Sequence, residues 1–212
     1  MAQTAEQTSE LAPTSELTKG ERTRRAILDA AIARFGRDGF RATSVTDIAR
    51  DAGVGGTVAY AYFPNKEALF FAAADEDAAG VIDEGVSSLI EDATPAALWR
   101  QTLIFTLVGA VERHPLARRL LAGLEPDVTG RVLEIPALQE LRKACAERLR
   151  SEQLTGAIRT DIDPTTIANG VVSITLSLLM SVVQLGQDAA ATYQSDVLAV
   201  FEAALAPPLP TA

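Results

Sequence analysis

The chain has 212 residues with a formal net charge of −9, and 48% of its residues are hydrophobic, as expected for a globular protein with a substantial core. Its single cysteine, Cys145, excludes an intrachain disulfide framework and a thiolate metal cluster, and fits a reducing, cytoplasmic compartment. The N-terminus lacks a charged segment followed by an apolar run, so no secretory signal peptide is expected.

The charge is distributed unevenly along the chain. Residues 18–71 contain nine Lys and Arg against six Asp and Glu, whereas residues 1–17 and residues 72–212 each carry a net negative charge. Because an acidic surface repels the phosphates of DNA, any contact with nucleic acid is expected in the first third of the chain.

The chain is predicted to begin with a tail and a helix. Residues 1–17 are rich in Thr, Ser, Glu and Gln without apolar periodicity, which is typical of disorder. Thr18 stands three residues before Glu21, the spacing of a capping box at a helix N-terminus. Apolar residues then recur with helical periodicity, and Gly36 and Gly39 are predicted to end this helix.

A pair of short helices is predicted next, over about residues 44–63. Ser44 and Asp47 have capping-box spacing at the start of the first, and Gly53 ends it. The second starts near Gly56 and stops before Pro64. Two short helices joined by a glycine-containing turn are typical of the DNA-binding helix-turn-helix. A fourth helix is predicted from an N-cap at residue 65 to about residue 91.

Further helices are predicted near residues 96–113, 115–122, 136–155, 164–186 and 188–206, and a proline-rich tail over 207–212. No segment shows the sustained alternation of a strand between turn signals. The sequence therefore predicts an all-α protein. It also predicts that a three-helix helix-turn-helix DNA-binding domain over residues 18–71 is joined to a larger helical domain over residues 72–206.

Three stretches of the first domain resemble the DNA-binding domain of TetR-type transcriptional regulators. They are ILDAAIARFGRDGF, ATSVTDIARDAGV and YAYFPNKEALF, and their order and spacing agree with that family from Thr23 to Phe71. The remainder agrees in helical character, in length and in the stretch GAIRTDIDP before a penultimate helix. The resemblance implies a homodimeric repressor that binds double-stranded DNA and whose C-terminal domain binds a small effector.

Candidate DNA-binding residues follow from side-chain chemistry and from this resemblance. Hydroxyls and free N–H groups at helix N-termini bind phosphates, and glycines let a backbone approach a duplex closely. A lysine in a first helical turn opposes the helix dipole unless a phosphate lies there, and Lys66 matches the family's phosphate-contacting lysine. At least one ring of the two neighbouring tyrosines is expected to project outward. The predicted DNA-binding residues are Ser44, Thr46, Gly55, Gly56, Thr57, Tyr60, Tyr62 and Lys66.

The second short helix departs from the family pattern. Gly55 replaces the usual serine N-cap, Val58 replaces a hydroxyl residue, and Ala61 offers little to read a base. The helix has no Arg, Asn or Gln for bidentate base contacts, so Thr46, Arg50 or DNA shape is expected to supplement specificity. The alternative function is therefore a helical interaction or ligand-binding protein with weakened or lost DNA binding. Three arginines at the first helix either reach the DNA or form a solvated face: Arg22, Arg24 and Arg25.

Residues 164–187 contain no charged side chain and form two apolar stripes of a helix, which must both be buried. We expect one stripe in the domain core and the other in a partner, so that a homodimer forms through about residues 164–206. A membrane span is the less favoured alternative because polar residues interrupt the segment and its flanks are acidic.

The effector site is weakly specified. Trp99, Phe105 and His114 are candidate ligand-binding residues, although a core role is favoured for Trp99 and a helix-terminal role for His114. One histidine and one cysteine without a local catalytic signature, and no metal-ligand spacing, predict neither an enzyme nor a cofactor.

Overall fold

The computed structural model describes residues 18–90, 98–127, 130, 134 and 136–207, so the predicted tail over 1–17 and nearly all of the predicted C-terminal tail lie outside it. Within these ranges every helix or strand that the structure assigns is a helix, which confirms the all-α class. The helices with defined bounds are α1 (Lys19–Ala42), α2 (Val45–Asp51), α3 (Gly56–Tyr62), α4 (Lys66–Ile90), α5 (Trp99–Val111), α6 (Pro115–Leu121), α7 (Pro136–Leu154), α8 (Pro164–Leu185) and α9 (Gln187–Leu205).

The N-terminal helices pack around a hydrophobic cluster of their own. The ring of Phe70 meets those of Phe35 and Phe40 edge-on, with centroids 5.1 Å away in each case. Leu116 and Leu120 of α6 complete this cluster, although both lie far beyond residue 71. A helix from beyond the predicted domain boundary therefore completes the hydrophobic core of the N-terminal unit.

A second cluster fills the C-terminal part, where α4, α5, α7 and α8 pack together. Helix α4 serves both clusters, since Leu69 and Phe70 belong to the first and Val81 and Ile82 to the second. Cys145 of α7 is fully buried here, and burial raises the pKa of its thiol to about 12. The two clusters thus share one continuous helix.

Helix α1 differs from its sequence prediction. The Thr18–Glu21 capping box is confirmed, but the helix continues through Gly36 to Ala42. Gly39 bends it, with a φ of +84° that favours glycine. At Gly36 a Cβ would lie 2.8 Å from the Cβ of Pro115, so this glycine permits the close approach of α6 and does not end the helix.

The two apolar stripes of α8 also differ from expectation. Val172 and Leu179 face the second cluster, and Val171 and Leu178 pack with Ile104 and Phe201 in a third cluster, so most of both stripes is buried within one chain. The exposed face of α8 carries mostly small residues, and the larger Ile174 among them is 39% exposed. By length and composition alone α8 is also apolar enough to cross a membrane.

Candidate nucleic-acid interface

Helices α2 and α3 form the predicted helix-turn-helix. At the end of α2, Gly53 adopts a φ of +69°, its N–H donates to Arg50 O, and the N–H of Val54 donates to Ala49 O at 2.9 Å. These two bonds form a Schellman motif, which ends the helix and turns the chain into α3. The glycine at position 53 is therefore required by the backbone of the turn.

The N-terminus of α2 is capped by Ser44. Its hydroxyl oxygen accepts the N–H of Asp47 at 3.1 Å and donates to the Asp47 carboxylate at 2.7 Å. The expected capping box is only half formed, since the aspartate side chain is one methylene shorter than glutamate and binds the hydroxyl instead of the N-cap N–H. The Ser44 hydroxyl and the nearby Arg50 guanidinium lower the pKa of Asp47.

Helix α3 separates buried from exposed residues clearly. Ala59 and Phe63 are buried against α1 and α2, whereas Thr57 and Tyr60 face outward. Tyr60 is 50% exposed and Tyr62 is 36% exposed, so both rings lie at the surface. Neither phenol hydroxyl hydrogen-bonds to a residue that the structure describes. The outer face of α3 therefore carries two unpaired hydroxyls on rigid rings.

The two tyrosines point in different directions. A Cβ at Gly20 would lie 3.6 Å from the Tyr62 hydroxyl, which places that ring beside the N-terminus of α1. Tyr60 is the more exposed of the two side chains. We therefore expect Tyr60 to be the more accessible of the two to a partner molecule.

Gly55 and Gly56 lie at the exposed start of α3. Gly55 is the N-cap with an extended backbone, a φ of −72°, which any residue adopts, and it provides no side-chain cap. A Cβ at either position would meet nothing within 4 Å. Neither the local backbone conformation nor packing within the chain requires glycine at these two positions. The open space beside them would let a binding partner approach the backbone of α3 closely.

Substitution of Gly55 by serine is expected to raise the stability of the N-terminal unit slightly, by a few tenths of a kcal/mol, because a hydroxyl caps the free N–H groups of α3. Gly53→Ser is the matched control and should destabilise by about 1 kcal/mol, since its left-handed φ is strained for any other residue. Thermal unfolding of both variants measures the difference. If Gly55→Ser destabilises as much as Gly53→Ser does, the assigned conformation at residue 55 is wrong.

Lys66 begins α4 beside the end of α1. Its ammonium donates to the carbonyl of Arg41 at 3.3 Å and lies 4.6 Å from the centre of the Phe40 ring. Asn65 caps the same terminus, with its side-chain oxygen accepting the N–H of Ala68 at 2.7 Å, as predicted. The lysine is half-buried, and its ammonium is held between the Arg41 carbonyl and the Phe40 ring at the helix start.

The arginines of this unit differ in their availability. Arg25 pairs with Asp29 and Glu76, Arg41 with Asp127, and Arg50 with Asp47. Arg24 instead lies with its guanidinium 5.4 Å from the centre of the Phe63 ring, at the end of α3. Its side chain thus joins α1 to the end of α3, a contact that the sequence pattern alone did not indicate.

The three effector candidates lie apart from one another. Trp99 is fully buried and donates its indole N–H to Glu152, while Phe105 is exposed on α5. His114 is the N-cap residue of α6, and its Nδ1 is 2.9 Å from an Asp77 carboxylate oxygen. None of the three lines the apolar cavity described next.

A cavity of about 100 Å³ lies between α4, α5, α6, α7 and α8. Its walls are almost entirely aliphatic, and the residues that line it come from five separate helices, so no local sequence pattern marks it. Representative wall residues are Val81, Leu107, Leu121, Leu138, Leu141 and Leu179.

Comparison with known proteins places the interface in a family context. Residues 27–73 match the family model for bacterial regulatory proteins of the tetR family. The HTH-type transcriptional regulator BetI of Rhizobium meliloti (strain 1021) is 36% identical over 72 residues. That match spans 34% of this chain and 36% of the length of the relative.

Solved structures share the whole fold. A TetR-family transcriptional regulator from Mesorhizobium loti superposes with a TM-score of 0.71 at 22% identity, covering 90% of this chain and 100% of that one. The repressor FadR of Thermus thermophilus, solved in complex with lauroyl-CoA, superposes with a TM-score of 0.63 at 24% identity, covering 89% of this chain and 98% of its own. At these identities the agreement establishes the fold.

Proposed function

Because the chain belongs to the tetR family of bacterial regulatory proteins, we propose that it is a cytoplasmic, ligand-responsive transcriptional repressor. In this proposal it binds a palindromic operator as a homodimer, and a small effector releases it. The outer face of the helix-turn-helix carries the proposal: an exposed recognition helix with unpaired tyrosine hydroxyls stands beside a fixed lysine at a helix N-terminus.

The residues of this face suit binding to the phosphate backbone more than base readout. Tyr60 and Tyr62 offer hydroxyl donors, Lys66 offers a charge, and Thr46 offers an exposed hydroxyl at the start of α2. Thr57 is the side chain best suited to a base edge or a thymine methyl group. The open space before Gly55 and Gly56 allows the start of α3 to approach the duplex closely.

A homodimer through α8 and α9 fits the exposed apolar surface. Ile174 on α8 and Tyr193 and Val200 on α9 are exposed although they are large and apolar. The neighbouring positions of α8 are small, with Gly170 and Ser177 exposed, which permits two helices to approach closely. A two-fold dimer presents two recognition helices to successive major grooves about 34–36 Å apart.

Helix α6 is the proposed link between effector and DNA. One side of it, Ala117 and Leu121, lines the cavity, and the other side rests on α1 through Pro115 and Gly36. The Asp77 carboxylate of α4 accepts the N–H groups of Leu116 and Ala117 at 2.9 Å, which fixes the start of α6.

A second connection joins the same helix to the end of α1. Glu125 accepts a bond from Arg119 Nε at 2.6 Å and from the Phe40 N–H at 3.0 Å. An effector that displaces α6 therefore shifts α1 and the recognition helix with it. It acts through its differential affinity for the two positions of α6.

Two substitutions test the DNA-binding face. Lys66→Met keeps the stem that packs on Phe40 but removes the charge, and it should weaken operator binding about tenfold and reduce the slope of log affinity against log salt concentration by about 1. Tyr60→Phe removes only a hydroxyl and should weaken binding about fivefold. Gel-shift titrations at several salt concentrations, on DNA that the wild type selects from a random pool, measure both.

Lys143→Met provides the matched control, because that lysine is exposed on α7 away from the interface. It should leave both affinity and salt slope unchanged. Wild-type affinity for both Lys66→Met and Tyr60→Phe would contradict the assigned face. Failure of the wild type to select any DNA would instead favour a ligand-binding protein without DNA binding.

A further inference from the structure

The apolar cavity has one polar feature. Of the side chains that line it, Thr175 of α8 alone is hydroxylated, and the lining includes no charged residue. Leu121, Leu176 and Met180 are half-buried and form its rim, whereas Thr175 is only 3% exposed and lies inside. A ligand that enters therefore meets hydrocarbon walls and a single hydroxyl.

The hydroxyl of Thr175 has no hydrogen-bond partner among the residues that the structure describes. Helical serine and threonine hydroxyls usually donate to the carbonyl four residues earlier, as Ser177 and Ser181 do on the same helix at 3.0 Å. Thr175 does not make this bond. A buried hydroxyl without a partner costs free energy, so its position is explained if a bound molecule supplies the partner.

Two arginines of α6, the helix that contributes Ala117 and Leu121 to the cavity, are already paired. Arg118 Nε lies 3.3 Å from a Glu112 carboxylate oxygen, and Arg119 Nε lies 2.6 Å from Glu125. Neither lines the cavity. A carboxylate or phosphate placed among these aliphatic walls would lose its hydration without gaining a counter-charge, which disfavours an anionic ligand.

From these observations we infer that the cavity takes an uncharged, largely hydrocarbon effector with one hydrogen-bonding oxygen, which pairs with the Thr175 hydroxyl. The inference rests on the proposed function, since it names the class of effector that the regulator would answer to. It also assigns Thr175 as the residue that selects an oxygen-bearing ligand over a plain hydrocarbon.

Three small probes test the assignment on the full chain without DNA: 1-hexanol, hexanoate and toluene. Wild-type protein should bind 1-hexanol at least about tenfold more tightly than hexanoate, because only the carboxylate must lose a charged hydration shell. Thr175→Val should weaken 1-hexanol binding about fivefold, the value of one neutral hydrogen bond, and leave toluene binding unchanged. Titrations followed by NMR chemical shifts measure all six affinities.

The same variant has a second readout that a purely structural threonine would not give. Thr175→Val should raise the midpoint temperature of thermal unfolding in the absence of ligand, because it replaces an unpaired buried hydroxyl with a methyl group of nearly the same volume. Thr102→Val is the control, since the Thr102 hydroxyl already donates to Leu98 O at 3.1 Å. That control should change neither the alcohol affinity nor the preference for alcohol over toluene.

Equal affinity for hexanoate and 1-hexanol would overturn the assignment, and so would an unchanged ratio of alcohol to toluene affinity in Thr175→Val. Absence of binding by all three probes would overturn it as well. These titrations contain no DNA, so their outcome is independent of operator binding. A chain that binds 1-hexanol but no DNA would reject the proposed function and keep this inference.

Discussion

Ile174→Asp is expected to separate the proposed homodimer and to abolish the tight operator binding proposed for it. Ile174 lies exposed on the small-residue face of α8, and a two-fold axis along that face brings two copies of it close together. Two opposed carboxylates cost several kcal/mol, so the dimer dissociation constant should rise at least about 100-fold. Each separated chain then holds one half-site only. Sedimentation velocity and gel-shift titration on the wild-type operator measure the two effects.

Leu154→Asp is the matched control for this substitution. Leu154 ends α7 and is 89% exposed, but it lies outside α8 and α9, through which the two chains are proposed to associate. The control should remain dimeric and bind the operator normally. A dimeric Ile174→Asp with wild-type operator affinity would show that the chain associates through another surface.

Glu152→Ala is expected to lower the free energy of unfolding by about 3–5 kcal/mol. The carboxylate of Glu152 is buried in α7, lies 3.3 Å from the Arg100 guanidinium and accepts the Trp99 indole N–H. Its removal leaves a buried arginine and a buried indole N–H without this partner, which costs far more than a lost surface ion pair. Urea denaturation at fixed protein concentration, followed by Trp99 fluorescence, measures the loss.

Two further variants sharpen that experiment. Glu152→Gln keeps an acceptor for the indole and should cost less than alanine, because only the charge is lost. Glu147→Ala alters an exposed glutamate of the same helix and should change stability by less than about 0.5 kcal/mol. A loss below about 1 kcal/mol in Glu152→Ala would mean that water or another group replaces the carboxylate.

Local signals made the helices predictable from the sequence. Caps such as Thr18 and Asn65, and prolines at the first turns of α6, α7 and α8, act within a few residues and predicted those helix starts closely. Contacts between distant residues were not predictable in this way. Gly36 was predicted to end a helix, but it is a glycine because Pro115 of α6 packs where its side chain would be. That contact joins two distant helices, so the local sequence does not reveal it.

The same contrast divides the two candidate sites. The candidate nucleic-acid interface lies within one short stretch, so residue chemistry and the family resemblance indicated Tyr60, Tyr62 and Lys66. In the structure both tyrosines are exposed and Lys66 begins α4. The cavity is assembled from five helices, and its one polar residue looks ordinary in sequence. Trp99 was predicted as a possible effector contact, whereas in the structure it is buried and donates its indole N–H to Glu152.

The burial of Cys145 has a practical consequence. A thiol with a pKa of about 12 is almost entirely protonated at neutral pH, and it is also fully shielded from solvent, so alkylating reagents should not reach it. A nitroxide spin label would therefore attach only to a cysteine introduced at the surface, for example by Ala61→Cys on α3. Double electron–electron resonance on the proposed dimer would report the separation of its two α3 helices directly, with the native cysteine left in place.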